Sequence, residues 1–262
     1  MGLEVSDLRI RIGRRELVHG VTFDVPTGER LGIIGESGSG KTLTVLAVLG
    51  LLPEGATAEG SVRWNGRELL GLPDRDLALI RGKELGVVFQ DPSSALNPIR
   101  TVGAQIGESL SIHYDLDRRE LRQRVLAAAA RVGLPDPEEI VRRYPHQLSG
   151  GQRQRVAIAM AVASGPRLLV ADEPTTALDV TVQAGILRLF DDLVGTLGSS
   201  LVFVTHDIAL LGAVTDHVVV MADGRIVESG RLDTVVDDPR EAITAGLVEA
   251  ARVAAWDGGP VA

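Results

Sequence analysis

The sequence contains no cysteine among its 262 residues. Without thiols the chain has no disulfide, no thiol nucleophile and no zinc–thiolate or iron–sulfur site, and such a composition is typical of a reducing compartment. Long apolar runs are also absent, because stretches such as 168–171 and 218–221 are far shorter than the roughly 20 residues that span a bilayer. The first residues lack the basic start and the apolar stretch of a signal peptide. We therefore expect any membrane role to be peripheral.

An excess of basic residues is lacking as well, since the formal net charge at pH 7 is −8. Broad nucleic-acid binding needs a basic surface, so we predict no nucleic-acid partner. Apolar residues make up 45% of the chain, which is enough for a large core. The length suits one α/β domain that carries an inserted subdomain.

Strand–helix alternation occurs on both sides of a helical stretch. Apolar patterning predicts strands over 3–12 and 30–34, and the alternation of strands and helices returns after Pro166. From about 91 to 165 the pattern is typical of helices, among them 118–132. This order favours a doubly wound α/β core with an inserted helical subdomain.

A glycine-rich segment follows the predicted strand 30–34 and precedes an apolar helix. It reads GESGSGKT and matches the phosphate-binding pattern G-x-x-x-x-G-K-[ST] with both flanks in place. Glycines let successive backbone N–H groups face inward, and the helix start adds its positive dipole end. The alternative is a glycine-rich turn that only joins a strand to a helix. The predicted phosphate contacts are Gly35, Glu36, Ser37, Gly38, Ser39, Gly40, Lys41 and Thr42.

Two adjacent acids follow an apolar stretch at 167–171. Open α/β sheets bind ligands at the carboxyl ends of their strands, which is where Asp172 and Glu173 would lie. There Asp172 can hold Mg²⁺ through water, and Glu173 can polarise an attacking water. The alternative is a pair of solvated acids at the start of a loop.

The segment LSGGQ at 148–152 lies between these two motifs. With Gln90, the Ala-Leu-Asp run at 177–179 and His206, it makes the chain resemble the ABC-type ATPases over about 3–239, with each motif in the family's order. The resemblance implies ATP as the ligand and Mg²⁺ as the cofactor. It also implies a nucleotide-hydrolase core with an N-terminal antiparallel β subdomain over 1–90 and 166–240, and a helical subdomain over 91–165.

In this family two ATPase domains face each other head to tail, so that each ATP lies between one phosphate loop and the partner's signature motif. The resemblance implies that Glu173 acts as general base, that His206 holds the γ-phosphate, and that Lys41 and Gln90 complete the catalytic set. The remaining implied nucleotide contacts are Ser149, Gly150, Gly151, Gln152 and Asp179. The implied metal contacts are Thr42, Gln90 and Asp172.

One family feature is missing. The family places an aromatic residue before the glycine-rich loop to stack on adenine, and here that position falls at Ile12, while the nearby Phe23 is predicted to be core. Stacking contributes about 1 kcal/mol beyond the burial of area. We therefore predict that Ile12 contacts adenine through dispersion alone, with modest nucleotide affinity and weak discrimination between ATP and GTP.

The segment FQDPSSALNP at 89–98 resembles the ATPases of dipeptide, oligopeptide and nickel importers. YPHQL at 144–148 and ADEPTTALDV at 171–180 agree, and ELVHGV at 16–21 is close to the nickel type. Two departures, the lack of a cysteine-bearing extension and Arg-Glu-Ala-Ile-Thr at 240–244 in place of His-Pro-Tyr-Thr, mildly favour a nickel-type or other short member. The cargo itself cannot be named, because an ATPase of this kind never touches it.

Importers of this group pair the ATPase with a second one and dock it on two membrane permeases, with an extracytoplasmic solute-binding protein. The resemblance thus implies a peripheral place at the cytoplasmic face of the membrane. The alternative is a non-transport ABC ATPase that acts as a scaffold or signalling subunit with soluble partners. The segment 241–262 is expected to be a C-terminal tail, loose over 254–262.

Overall fold

A computed structural model describes residues 1–176 and 178–257. The chain forms two compact units, one of Met1–Leu72 with Ser200–Ala262 and the other of Pro73–Ser199. Across the described part of the chain, no helix is long and apolar enough to cross a membrane.

The strands are β1 (Gly2–Ile12), β2 (Arg15–Pro26), β3 (Arg30–Ile34), β4 (Ala56–Trp64), β5 (Arg67–Glu68), β6 (Leu85–Val88), β7 (Leu168–Asp172), β8 (Ser200–Thr205), β9 (His217–Ala222) and β10 (Arg225–Arg231). The helices are α1 (Lys41–Leu49), α2 (Asp74–Ala78), α3 (Pro92–Ala95), α4 (Val102–Ile106), α5 (Glu108–His113), α6 (Arg118–Arg131), α7 (Pro137–Ile140), α8 (Gly150–Val162), α9 (Val180–Leu197), α10 (Ile208–Leu211), α11 (Leu232–Asp237) and α12 (Ala242–Asp257). A short 3₁₀ helix covers Pro145–Gln147.

The first unit contains an antiparallel sheet in the order β2-β1-β4-β5. Alternate residues of β1 are buried, with Leu3 opposite Val25 and Val5 opposite Phe23 across the pair. This period of two puts one face of the sheet on the core and leaves the other polar. Phe23 is 9% exposed, as predicted for a core residue.

The same unit contains the phosphate-loop strand. β3 pairs in parallel with β8 on one side and with β9 on the other, and β10 pairs antiparallel with β9. β3 and β8 are buried almost throughout, as expected for parallel strands covered on both faces. β9 and β10 form a hairpin whose turn consists of Asp223 and Gly224, both with positive φ.

The second unit pairs β6 in parallel with β7 and carries most of the helices. α6 begins where its sequence predicts, because Asp117 and Glu120 form a capping box that satisfies the first N–H groups. Gly133, with a φ of 69°, follows its end. The boundaries 91 and 165 of the helical subdomain stay a prediction, because this compact unit runs over Pro73–Ser199.

The expectation of a loose tail over 254–262 is wrong for 254–257, which lie in α12. The segment from Ala242 is rich in alanine, the residue with the highest helix propensity, and contains no proline before 260. Residues 258–262 of the expected tail lie outside the described residues.

Candidate nucleotide-binding and hydrolysis site

The predicted phosphate loop connects β3 to α1 in the first unit. Gly40, in the left-handed region with a φ of 97°, immediately precedes α1, which begins at Lys41. The first N–H groups of a helix have no acceptor one turn back within the helix, and the helix dipole places partial positive charge at this start. Local geometry of this kind suits an anion.

Lys41 is buried, with 4% of its surface exposed. Its Nζ donates to the carbonyl oxygens of Gly35 (2.8 Å) and Glu36 (2.9 Å). A buried ammonium needs such partners, because desolvation of an unpaired charge is costly. The two carbonyl oxygens thus hold the lysine ammonium within the loop. A phosphate oxygen can take the place of one of them as the hydrogen-bond acceptor.

Ser39 supplies a second observation that fits a phosphate. Its Oγ is buried and has no hydrogen-bond partner among the described residues. Buried hydroxyls normally have a partner, so a buried Oγ in this loop suits a ligand oxygen. Gly38, with a φ of 83°, has open space where a Cβ would point. The residues present therefore fit a nucleotide phosphate.

Support for the loop comes from the β9–β10 turn, which motif reasoning did not identify. A Cβ on Gly35 would lie 2.1 Å from the Met221 carbonyl oxygen, and the Gly224 N–H donates to the Ser39 carbonyl at 3.1 Å. A Cβ on Gly40 would approach Val18 Cγ2 to 3.2 Å. Close backbone approach thus requires glycine at 35. The only sequence signal was the hairpin turn itself.

His206 lies at the same edge of the sheet as the phosphate loop. Ile34 and Thr205 are register partners in the parallel pair β3–β8, so Gly35 and His206 each follow directly after a paired residue. The Asp207 N–H donates to Thr205 Oγ1 at 3.1 Å, and the Asp207 carboxylate caps the next helix through Ala209 N–H. His206 therefore lies on an exposed turn that its two neighbours hold by hydrogen bonds.

The second unit brings three predicted residues to one sheet edge. Asp172 ends β7 and is 4% exposed, and Gln90 follows β6, which pairs with β7 in parallel. Gln90 Nε2 donates to Glu173 Oε2 at 3.3 Å, across 83 residues of sequence. The structure also adds Thr176, whose Oγ1 donates to the same Glu173 oxygen at 3.0 Å.

Glu173 has a left-handed backbone, with a φ of 45°. This conformation costs a non-glycine residue about 1–2 kcal/mol and is often found at functional sites. It turns the chain sharply at the end of a buried strand, so that Glu173 is half-buried directly after the buried Asp172. Sequence patterning carried no signal for this strain.

Glu173→Gly is expected to have a free energy of unfolding about 1 kcal/mol higher than that of Glu173→Ala, because both substitutions remove the carboxylate and its two hydrogen bonds but only glycine adopts this φ without strain. Urea unfolding of the full chain measures the difference. In the control pair, at an exposed position of α12, Glu249→Gly is expected to be about 1 kcal/mol less stable than Glu249→Ala. A lower stability of Glu173→Gly than of Glu173→Ala would contradict the interpretation of Glu173 as strained.

The signature segment forms the start of α8. Ser149 Oγ accepts from Gln152 N–H at 3.3 Å, and Gln152 Oε1 accepts from Ser149 N–H at 3.0 Å, which is a capping box. Gln152 Oε1 thus holds the helix start, and its amide NH₂ remains a donor. Gly150 has open space at its Cβ position, whereas a Cβ on Gly151 would meet Val182 at 3.1 Å.

Asp179 has a structural partner within its own unit. Its carboxylate caps α9 by accepting from Val182 N–H at 2.9 Å. The Ala177 of the predicted D-loop lies outside the described residues. The nucleotide contact predicted for Asp179 stays a prediction.

Ile12 ends β1 and is half-buried, with Arg15 and Ala56 as its cross-strand neighbours. Ile12→Tyr is expected to lower the ATP dissociation constant about fivefold, because stacking contributes about 1 kcal/mol. Titration with ATP and with GTP measures both constants. Ile99→Tyr, at an exposed isoleucine of the second unit, serves as the matched control. Unchanged constants in Ile12→Tyr would refute the assignment of Ile12.

The residues predicted to bind the metal are divided between the two units. Asp172 and Gln90 belong to the second unit and Thr42 to the first. No cluster of three or more histidine, aspartate or glutamate side chains that could hold a metal occurs within 1–176 and 178–257. Within the second unit, the Gln90 amide oxygen and the Asp172 carboxylate are donors of the type that suits a hard cation such as Mg²⁺, which keeps several waters and also binds substrate phosphates.

Comparison with known proteins places these features in a family. A family profile described as ABC transporter matches residues 18–176. The oligopeptide transport ATP-binding protein OppD of Bacillus subtilis (strain 168) is 45% identical over 252 residues, which are 94% of this chain and 70% of that protein. The peptidoglycan transport ATP-binding protein YejF of Agrobacterium fabrum is 47% identical over 232 residues, covering 88% of this chain and 42% of that protein.

Solved structures agree with the fold. The ATP-binding cassette MJ0796, in a dimeric post-hydrolysis state bound to ADP and Pi, superposes with a TM-score of 0.78 at 30% identity, covering 88% of this chain and 98% of that chain. The predicted family and fold class are thereby confirmed. With its phosphate loop, its signature helix and more than half of its length matched, the chain belongs to the ABC transporter family as a nucleotide-binding ATPase.

Proposed function

We propose that this chain hydrolyses ATP with Glu173 as general base, as the ATPase subunit of a peptide importer. The observation that carries the proposal is the position of Glu173. Its carboxylate is held by Gln90 and Thr176, directly after the buried Asp172. A general base must be fixed by neighbouring groups before it can orient a water, and the two hydrogen bonds to Glu173 Oε2 fix this carboxylate.

The phosphate loop serves binding and charge stabilisation in this proposal. Lys41 and the backbone N–H groups of the loop hold the phosphates, and the buried Ser39 hydroxyl donates to one of their oxygens. His206 holds the γ-phosphate and the water in line. Thr42, Gln90 and Asp172 would hold Mg²⁺, which would supply positive charge that offsets the charge on the phosphate oxygens. Catalysis of this kind consists chiefly of positioning and electrostatics.

A second ATPase completes each site in this proposal. The capping box at Ser149 and Gln152 presents the start of α8, where Gly150 leaves space for a close approach. N–H groups there and the Ser149 hydroxyl suit the γ-phosphate of ATP on the partner. The dimeric state of the MJ0796 cassette supports the arrangement. Closure then depends on the γ-phosphate, because its charge bridges the two surfaces.

The names of the relatives support a proposal for the cargo and the membrane partners. OppD and YejF are named for the transport of oligopeptides and peptidoglycan, which favours peptides over the nickel-type cargo that the two sequence departures suggested. We propose two permeases and an extracytoplasmic solute-binding protein as the further partners. In this arrangement the chain lies on the cytoplasmic face of the membrane.

Affinity purification of the full chain from native membranes, followed by mass spectrometry, tests the transport proposal. Recovery of two multi-span permeases with a second ATPase is expected, and an untagged strain gives the background. Peptides or metal on the co-purified binding protein would distinguish the two cargo classes. Recovery of soluble partners alone would favour the scaffold or signalling alternative and would leave the ATPase assignment intact.

A further inference from the structure

The start of α12 is capped by a carboxylate from a distant strand. Glu228 of β10 accepts from the Arg240 N–H at 3.0 Å through Oε1 and from the Glu241 N–H at 3.2 Å through Oε2. These two residues immediately precede α12. An anion at a helix start satisfies N–H groups that lack an intrahelical partner and interacts favourably with the helix dipole. One side chain thus anchors the last helix to the sheet.

The hydrogen bonds keep this carboxylate ionised. Burial by itself would raise the pKa of Glu228, but the nearby Thr244 side chain, the two N–H donors and the Arg240 charge outweigh it and lower the pKa. An ionised acceptor makes stronger hydrogen bonds than a neutral one. The anchor is therefore charge-assisted at neutral pH.

α12 continues from this anchor onto the helix that follows His206. It packs against α10 and α11, and its buried residues include Thr244 and Val248, the latter 3% exposed. α10 begins at Ile208, two residues after His206. Contacts thus run from Glu228 through α12 and α10 to the turn that carries His206.

On its other side, α10 packs against the hydrophobic core. Leu211 of α10 is fully buried, and a Cβ on Gly32 of β3 would lie 2.8 Å from its Cδ1. Packed interiors leave little free volume, so a helix held on two sides has few alternative positions. Removal of α12 would leave α10 held on one side only.

We propose that α12 is a strut that fixes the position of α10 and so of His206, and that Glu228 is the positioning residue that seats it. The proposal rests on the role of His206 in the proposed function. A partner that draws α12 away would lower hydrolysis without preventing nucleotide binding, so the C-terminal segment is a point of control.

The test compares Glu228→Gln with Glu249→Gln in the full chain. The second variant makes the same chemical change at an exposed position of α12. Hydrogen exchange is followed over 242–253 and 206–212, with the ATP dissociation constant and the single-turnover rate. In Glu228→Gln we expect about tenfold faster exchange over both segments, because one charge-assisted anchor is lost. The turnover rate should fall about tenfold while the dissociation constant stays within twofold, and Glu249→Gln should match the parent.

Two results would contradict the proposal that α12 is a strut. Unchanged exchange over 242–253 in Glu228→Gln would show that the carboxylate does not seat α12. Faster exchange there, with 206–212 and the turnover rate unchanged, would show that α12 does not position His206. Val248→Ala, which removes a buried contact of the same helix, should reproduce the Glu228→Gln pattern if the strut is correct. A parent without hydrolysis would refute the proposed function, and the exchange over 206–212 would then decide the strut alone.

Discussion

Glu173→Gln is expected to lower the single-turnover rate of ATP hydrolysis by about 10²–10⁴-fold, the usual contribution of a positioned general base. The variant keeps the shape of the side chain and its bond from Thr176 but removes the charge that attracts the water proton. ATP binding should persist, because the phosphate loop is unchanged, and the ATP-bound dimer should accumulate. Rapid-quench kinetics and size-exclusion chromatography with ATP measure the two effects.

Glu54→Gln provides the control for this prediction, since Glu54 is exposed and lies outside every predicted motif. Its turnover should equal that of the parent. If Glu173→Gln turned over ATP as fast as the parent, Glu173 would not be the base. The left-handed backbone at that position would then need another explanation.

Lys41→Ala should weaken ATP binding by at least about 100-fold. The substitution removes an ammonium that makes two hydrogen bonds inside the loop, and hydrogen bonds to a charged group contribute about 1.5–3 kcal/mol each. It also leaves the Gly35 and Glu36 carbonyls without this donor. Equilibrium binding of a fluorescent ATP analogue measures the loss.

Lys83→Ala is the natural control, because Lys83 is the only other lysine in the sequence. It lies over the Tyr114 ring, 5.9 Å from the centroid, in the second unit. Its ATP affinity should match that of the parent. Normal ATP binding in Lys41→Ala would remove the loop 35–42 from the proposed nucleotide site.

Motifs whose chemistry is local were predictable residue by residue. The phosphate loop needs its glycines and lysine at fixed spacing, and the capping boxes at Asp117 and Ser149 need partners three residues away. The predictions therefore matched the observed start of α6. The last helix was not predicted over 254–257, because chain ends are usually poorly ordered, whereas here the alanine-rich run continues the helix to Asp257.

Contacts between distant segments could not be read from spacing. Gln90 and Glu173 were each predicted, but the bond between them depends on the register of β6 with β7. Met221 and Gly224 support the phosphate loop, and Glu228 caps α12. The sequence around these residues shows only ordinary hairpin and strand patterns, which predict neither contact. Such pairings depend on tertiary packing, so they cannot be predicted from the spacing of residues in one sequence.

The sequence by itself thus determined the family and the ATPase chemistry and predicted the residues that would carry it, because these depend on residue type at fixed short spacing. The tertiary structure decided what holds those residues in place: the strained φ at Glu173, its bonds from Gln90 and Thr176, and the glycine at 35 against Met221. The physical reason is that strand register and close backbone approach arise only when segments far apart in sequence pack together.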